Sequence, residues 1–90
     1  MATEAGPASA KPSPLTAVVD VVARALVDHP DAVKVRESTR RGMTIVELTT
    51  APGDMGKIIG RQGRTASALR TLVAVTAERH GVRAQLDIRD

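Results

Sequence analysis

Gly60-Arg61-Gln62-Gly63 is a four-residue pattern whose types and spacing suit recognition chemistry. Two glycines bracketing two polar residues permit a tight turn and let another backbone approach where no Cβ stands in the way. A helix that starts after such a turn points unpaired N–H groups and the positive end of its dipole towards it, which favours a phosphate. Arg61, Gln62 and Arg64 supply side-chain donors for the same anion. Lys57, Arg61, Arg64 and Arg70 follow one another with no acidic residue among them. A solvated helix face usually mixes signs, so a one-signed run around a glycine turn points to a polyanion even though the formal net charge is only +3. Ile58 and Ile59 place apolar side chains just before the turn, either as core or as a floor under a base.

Other chemistries find little support. Cysteine is absent, which excludes disulfides, thiol catalysis and thiolate zinc sites. His29 and His80 are too few for a histidine cage, and no cofactor is expected. Gly53-Asp54-Met55-Gly56-Lys57-Ile58 contains Gly-Lys but lacks the Walker spacing and the hydroxyl residue after lysine. A dinucleotide fingerprint is missing, and Asp54 is the only acid near the turn, so no carboxylate pair is available for acid–base work. The chain reads as a non-enzyme. With no Phe, Tyr or Trp it cannot hold bases by ring stacking. A backbone clamp, arginine planes and aliphatic contacts must suffice, which implies weak, sequence-tolerant binding that a dimer with two clamps would strengthen. No stretch approaches the ~20 apolar residues of a membrane span, and the first residues lack a secretory h-region. A cytoplasmic location with no membrane partner is the simplest expectation.

The elements that must position the turn follow from periodicity. Residues 1–14, rich in Ala, Pro and Ser, read as a flexible tail, and 15–90 as one domain. Ser13 as N-cap and Pro14 at the first helical position open a helix whose apolar face is Leu15, Val18, Val19, Val22 and Leu26. Pro30 is expected to end it near Asp28 and His29. Val33 and Val35 alternate with Lys34 and Arg36 in a strand, and Thr44, Val46 and Leu48 alternate with Ile45 and Glu47 in the next. Thr39-Arg40-Arg41-Gly42 reads as their hairpin connection, with Gly42 at positive φ; Arg36, Arg40 and Arg41 form a second basic group there, which an exposed hairpin explains better than a ligand does. Asp54 is a plausible N-cap for a short helix to Ile59. A long helix from about Thr65 to His80 closes on Gly81. Its stripe is Leu69, Leu72, Val73 and Thr76, widened by Ala68 and Val75, and the face from Ala68 to Ala77 suits core or a dimer seam. His29 and His80 are expected at helix C-termini, where imidazolium suits the dipole. Val82, Ala84, Leu86 and Ile88 alternate inward in a last strand against Arg83, Gln85, Asp87 and Arg89. The order is α-β-β-α-α-β, an α+β fold with a three-stranded sheet covered on one face by three helices.

Ile-Gly-x-x-Gly between two helices resembles the KH module, whose GXXG loop clamps about four backbone nucleotides. The element order is similar to the type II arrangement of that module. The run Asp54-Met55-Gly56-Lys57-Ile58-Ile59-Gly60-Arg61-Gln62-Gly63-Arg64-Thr65 resembles the small bacterial single-KH proteins of the KhpA type, and the likeness covers roughly Leu15 to Asp90. The resemblance implies a clamp on single-stranded RNA made by Gly60, Arg61, Gln62 and Gly63, flanking phosphate contacts from Lys57 and Arg64, and a third from Arg70. It also implies a non-enzymatic RNA chaperone or regulator that forms a homodimer, or a heterodimer with a Jag/KhpB-type partner, and affects RNA fate, growth and cell shape. One departure stands out: the KH pattern has a large aliphatic residue three positions after the second glycine, and this chain has Ala66. A second class of function, a protein-interaction adaptor that keeps the fold for dimerisation, stands beside the first.

Overall fold

The computed structural model describes residues 13–89. The tail assigned to 1–14 therefore lies outside the described residues as far as residue 12. Helix α1 runs Pro14–Leu26, with Ser13 Oγ accepting the Thr16 N–H at 3.2 Å and Pro14 at the first position. Ser13 Oγ also donates to the Glu37 carboxylate. The buried stripe is Leu15, Val19 and Ala23, continued by Val27 just past the helix. Val18 and Val22 are only half-buried and Leu26 is exposed, which corrects the expected face. The helix also ends two to three residues earlier than expected. Val27 turns to extended backbone and buries its side chain while its N–H still reaches Ala23 O at 3.2 Å. Pro30 then opens a 3-10 turn over Pro30–Ala32 instead of stopping the helix itself.

Strand β1 (Lys34–Arg40) pairs antiparallel with β2 (Met43–Thr49), and Arg40 faces Met43 across the hairpin. That register leaves the two-residue turn Arg41-Gly42, with φ of 53° and 77°. Two positive φ values match the turn whose twist suits a right-handed hairpin, so Arg41 shares the left-handed backbone expected only of Gly42. Helices α2 (Met55–Ile59) and α3 (Arg64–Arg79) follow, and β3 (Arg83–Arg89) closes the fold. β3 lies parallel to β2, which gives the order β1-β2-β3. Crossing from β2 back to a parallel neighbour requires the two helices between them.

Val46 and Leu48 of β2 and Leu86 of β3 meet Leu15, Val19 and Ala23 of α1, Leu69, Val73 and Ala77 of α3, and Ile58 of α2 in one core. All three helices thus contribute to one side of a mixed sheet, the α+β architecture expected. Leu72 and Val75 stand outside it, 44% and 49% exposed. Their places in the stripe are taken by Ala66 and Ala77, where small side chains let α3 approach the other elements closely. Val82 is likewise not an inward strand residue. Its N–H bonds Ala77 O at 3.0 Å and the Gly81 N–H bonds Glu78 O at 3.1 Å. This pair of bonds, with Gly81 at φ 71°, ends α3 and leaves the Val82 side chain in solvent.

Candidate nucleic-acid interface

The turn joining α2 to α3 is compact. Gly60 N–H bonds Gly56 O at 2.8 Å and Gly63 N–H bonds Gly60 O at 3.1 Å, with a single 3-10 turn over Arg61–Gly63. Gly60, Gln62 and Gly63 all have positive φ, at 76°, 57° and 73°. Gly60 also has ψ 173°, a region open almost only to glycine. A Cβ there would overlap Thr65 Oγ1 and lie 2.9 Å from the Thr65 backbone N, so the first turn of α3 packs directly on this residue. Gly63 needs glycine for its backbone alone, since nothing lies within 4 Å of its Cβ position.

No side chain caps α3, whose N-cap is Gly63. Its dipole and first-turn N–H groups therefore face the turn without a side-chain acceptor, as an anion site requires. Arg61 and Gln62 are exposed, and Arg64 Nη2 donates to Gln62 Oε1 at 3.1 Å, so donors of both residues project beside the turn. Lys57 is nearby but engaged: Nζ lies 3.3 Å from Asp28 Oδ2. The structure therefore brings Lys57, Gly60, Arg61, Gln62, Gly63 and Arg64 together. Arg70 is exposed but stands six residues along α3 from Arg64, about 9 Å along the axis. The two isoleucines divide. Ile58 has no exposed surface and belongs to the core, so it supports the turn from beneath and cannot touch a base. Ile59 is 36% exposed and remains available as an apolar floor. Ala66 is buried as well, so its small size bears on packing and not on the wall of a groove.

Asp54 is the residue that local patterning misread. It precedes α2 but makes no side-chain cap. Its carboxylate is buried and accepts the His29 backbone N–H at 2.9 Å, with His29 Nδ1 at 3.1 Å from the same oxygen. Burial alone would raise its pKa. The His29 N–H and ring, with help from the Asp28 backbone, outweigh that and hold the carboxyl below the ordinary aspartate value. His29 is accordingly not at the last turn of α1; it lies beyond the helix and ties the Val27–His29 corner to the 3-10 turn Pro52–Asp54 that launches α2. His80 does sit at the C-cap of α3. The partners of Asp54 are 25 residues away, beyond the reach of any local motif.

A groove of about 530 Å³ lies away from the turn, between Ala17, Val21 and Arg24 of α1 and Val33 with Lys34, Val35 and Arg36 of β1. Among the described residues no cluster of His, Cys, Asp and Glu is arranged to hold a metal, and no helix is long and apolar enough to cross a membrane.

The KH-domain family described as KhpA/KhpB matches residues 16–88 of the chain. The RNA-binding protein KhpA of Halalkalibacterium halodurans is 49% identical over 73 residues, which cover 81% of this chain and 96% of the relative. The RNA-binding protein KhpA of Caldanaerobacter subterraneus subsp. tengcongensis is 49% identical over 71 residues, 79% of this chain and 95% of the relative. That of Aquifex aeolicus is 40% identical over 76 residues, 84% of this chain and 96% of the relative.

Proposed function

The chain belongs to the KhpA/KhpB family of KH domains, and from that premise we propose that it binds single-stranded RNA by clamping the phosphate backbone at Gly60–Gly63. The observation that carries this reading is the turn itself: three of its four residues at positive φ, followed by a helix start with no side-chain cap. An extended phosphate chain can approach the backbone N–H groups there while Arg61, Gln62 and Arg64 donate from the side. Lys57 joins when it leaves Asp28, Arg70 contacts a phosphate further along, and Ile59 lies under a base. Ile58 holds the turn from the core. Binding is tolerant of sequence because each of these contacts addresses the backbone or an apolar base face.

In this proposal residues 15–90 act as the KH unit, and Ser13 and Pro14, assigned from the sequence to the tail, belong to it as the start of α1. The protein works in the cytoplasm as an RNA chaperone or post-transcriptional regulator, with no catalytic step and no cofactor, and bears on cell shape through the RNAs it holds. It pairs with a second copy or with a Jag/KhpB-type protein. Leu72 and Val75, exposed on α3, favour that helix as the seam, and the same observation supports the adaptor reading as a companion role.

Fluorescence anisotropy with labelled single-stranded RNA at several salt concentrations tests the clamp. Wild-type binding should weaken with salt by about 0.7 in log K per log salt for each phosphate contacted. An Arg61→Asp, Gln62→Asp double variant should lose binding to a short RNA of about four nucleotides, the span of one clamp, while keeping its melting temperature. Equal affinity in wild type and variant would remove the clamp, and no binding by well-folded wild type would leave the adaptor.

A further inference from the structure

The side of the sheet away from the helices carries its charges unevenly. Strand register places residues in rows across it: Arg40–Met43–Arg83, Ser38–Ile45–Gln85, Arg36–Glu47–Asp87 and Lys34–Thr49–Arg89. Only the third row carries acids, and Arg89 of the fourth is drawn to them, 3.6 Å from Glu47 and 3.9 Å from Asp87. The first two rows hold no acid. Arg41, in the turn, adds a third arginine at the same end. Among the described residues Arg40, Arg41 and Arg83 enter no ion pair. Between the arginines lie the half-buried Met43 and Ile45, flanked by the exposed Ser38 and Gln85.

We propose that this hairpin end of the open sheet face is a second site for single-stranded RNA, separate from the glycine turn. The inference rests on the RNA-binding reading of that turn. Arg40 and Arg83 stand on the two strands flanking β2, about 10 Å apart across the sheet, so their flexible side chains engage phosphates of one strand crossing the face. Met43 and Ile45 offer an apolar floor to an unstacked base, and Ser38 and Gln85 offer hydrogen bonds to its edge. A phosphodiester chain fits this set better than an acidic peptide does, because the centre of the patch is apolar and flat with cations on both sides.

The two sites lie at opposite ends of α3. The glycine turn leads into its first residue, and Arg83 follows its last by four positions. Sixteen helical residues separate them by about 24 Å. One protomer then holds two RNA segments, or two stretches of one RNA, which is the arrangement an annealing protein needs. Joining the contacts on one molecule strengthens binding to long RNA without any further interaction type.

The test compares wild type, a hairpin variant (R40Q/R41Q/R83Q), the loop variant (R61D/Q62D) and their combination. Each is titrated with polyuridine and with a uridine tetranucleotide, and each is checked for an unchanged amide spectrum away from the substitutions. The hairpin variant should bind polyuridine on the order of tenfold more weakly, with a salt slope smaller by about 2, three phosphates at about 0.7 each. It should still show tetranucleotide-induced shifts at Gly60–Gly63. The loop variant should retain a salt-sensitive remainder that the combined variant lacks. R40K/R41K/R83K, which keeps the charge, should restore the slope and so separates charge from any effect on the fold. Wild-type polyuridine affinity and slope in the hairpin variant would overturn the second site, and doubly so if that variant lost polyglutamate binding instead. Full affinity in the loop variant would instead remove the clamp and leave the hairpin site standing.

Discussion

Replacing Gly60 by alanine is expected to damage the fold more than the same change at Gly63, three residues on. The native backbone at Gly60, φ 76° and ψ 173°, costs a residue with a Cβ about 1–3 kcal/mol. The new methyl would also overlap Thr65 Oγ1 and lie 2.6 Å from Thr65 Cβ and 2.9 Å from its backbone N. The hydroxyl can rotate away. The Cβ and the backbone N belong to the first turn of α3, so relief requires shifting the helix start, an overpacking cost of about 1–3 kcal/mol. The sum is roughly 4 kcal/mol, a large part of the stability of a domain this small. At about 4–8 °C per kcal/mol the Tm should fall by roughly 15–30 °C. Gly63→Ala meets nothing within 4 Å and pays only for its left-handed backbone, about 1–2 kcal/mol. Thermal unfolding followed by circular dichroism measures both. A Gly60→Ala protein that melts within a few degrees of wild type, or above Gly63→Ala, would refute the reasoning.

Two further outcomes address the surroundings of the turn. The Asp54 carboxyl is held below its ordinary value, so its contribution to stability is complete above the unfolded-state value, near pH ~3.9, and is lost as pH falls through the lower folded-state value. Asp54→Asn should therefore melt below wild type at neutral pH, and the gap should close as the pH drops below about 4; a gap independent of pH in paired melts would count against the buried latch. Asp28→Asn should raise RNA affinity up to about fivefold, because an exposed ion pair worth about 0–1 kcal/mol no longer competes for Lys57. Lys57→Gln should weaken binding and reduce the salt slope by about 0.7. Unchanged affinity in both variants would take Lys57 out of the interface.

What was legible in the sequence was local. The Ser13-Pro14 start, the hairpin at Gly42, the stop at Gly81 and the glycine turn each depend on neighbours within a few positions, and each lies where expected. The face of α1 was harder, because its apolar residues occur on nearly every side and periodicity cannot rank them. Packing selected Ala23 and Val27 and left Leu26 in solvent. The same ambiguity put Leu72 in the stripe of α3 where Ala66 and Ala77 are buried instead. At the site, the donors around the turn were readable from charge and spacing. The Lys57–Asp28 pair and the Asp54–His29 latch were not, since each joins segments that only the tertiary fold brings together. The β2–β3 pairing is of the same kind, since its partners lie 40 positions apart.

The parallel pairing of β2 with β3 has a consequence for how the protein comes to fold. Every partner in that ladder is 40 positions distant, from Met43 with Arg83 to Thr49 with Arg89. The β1–β2 hairpin closes over two residues and can form within about 1–10 μs. The parallel ladder must close a far longer loop, at an entropic cost that grows with its length. Gly60–Gly63 lies inside that loop, and the helix after it is held partly by β3. The turn's own bonds are local, but the seating of the helix it launches on the sheet is complete only once that ladder has formed. A fragment that ends before Arg83 would carry every residue of the clamp and still lack the strand that completes the sheet beneath it.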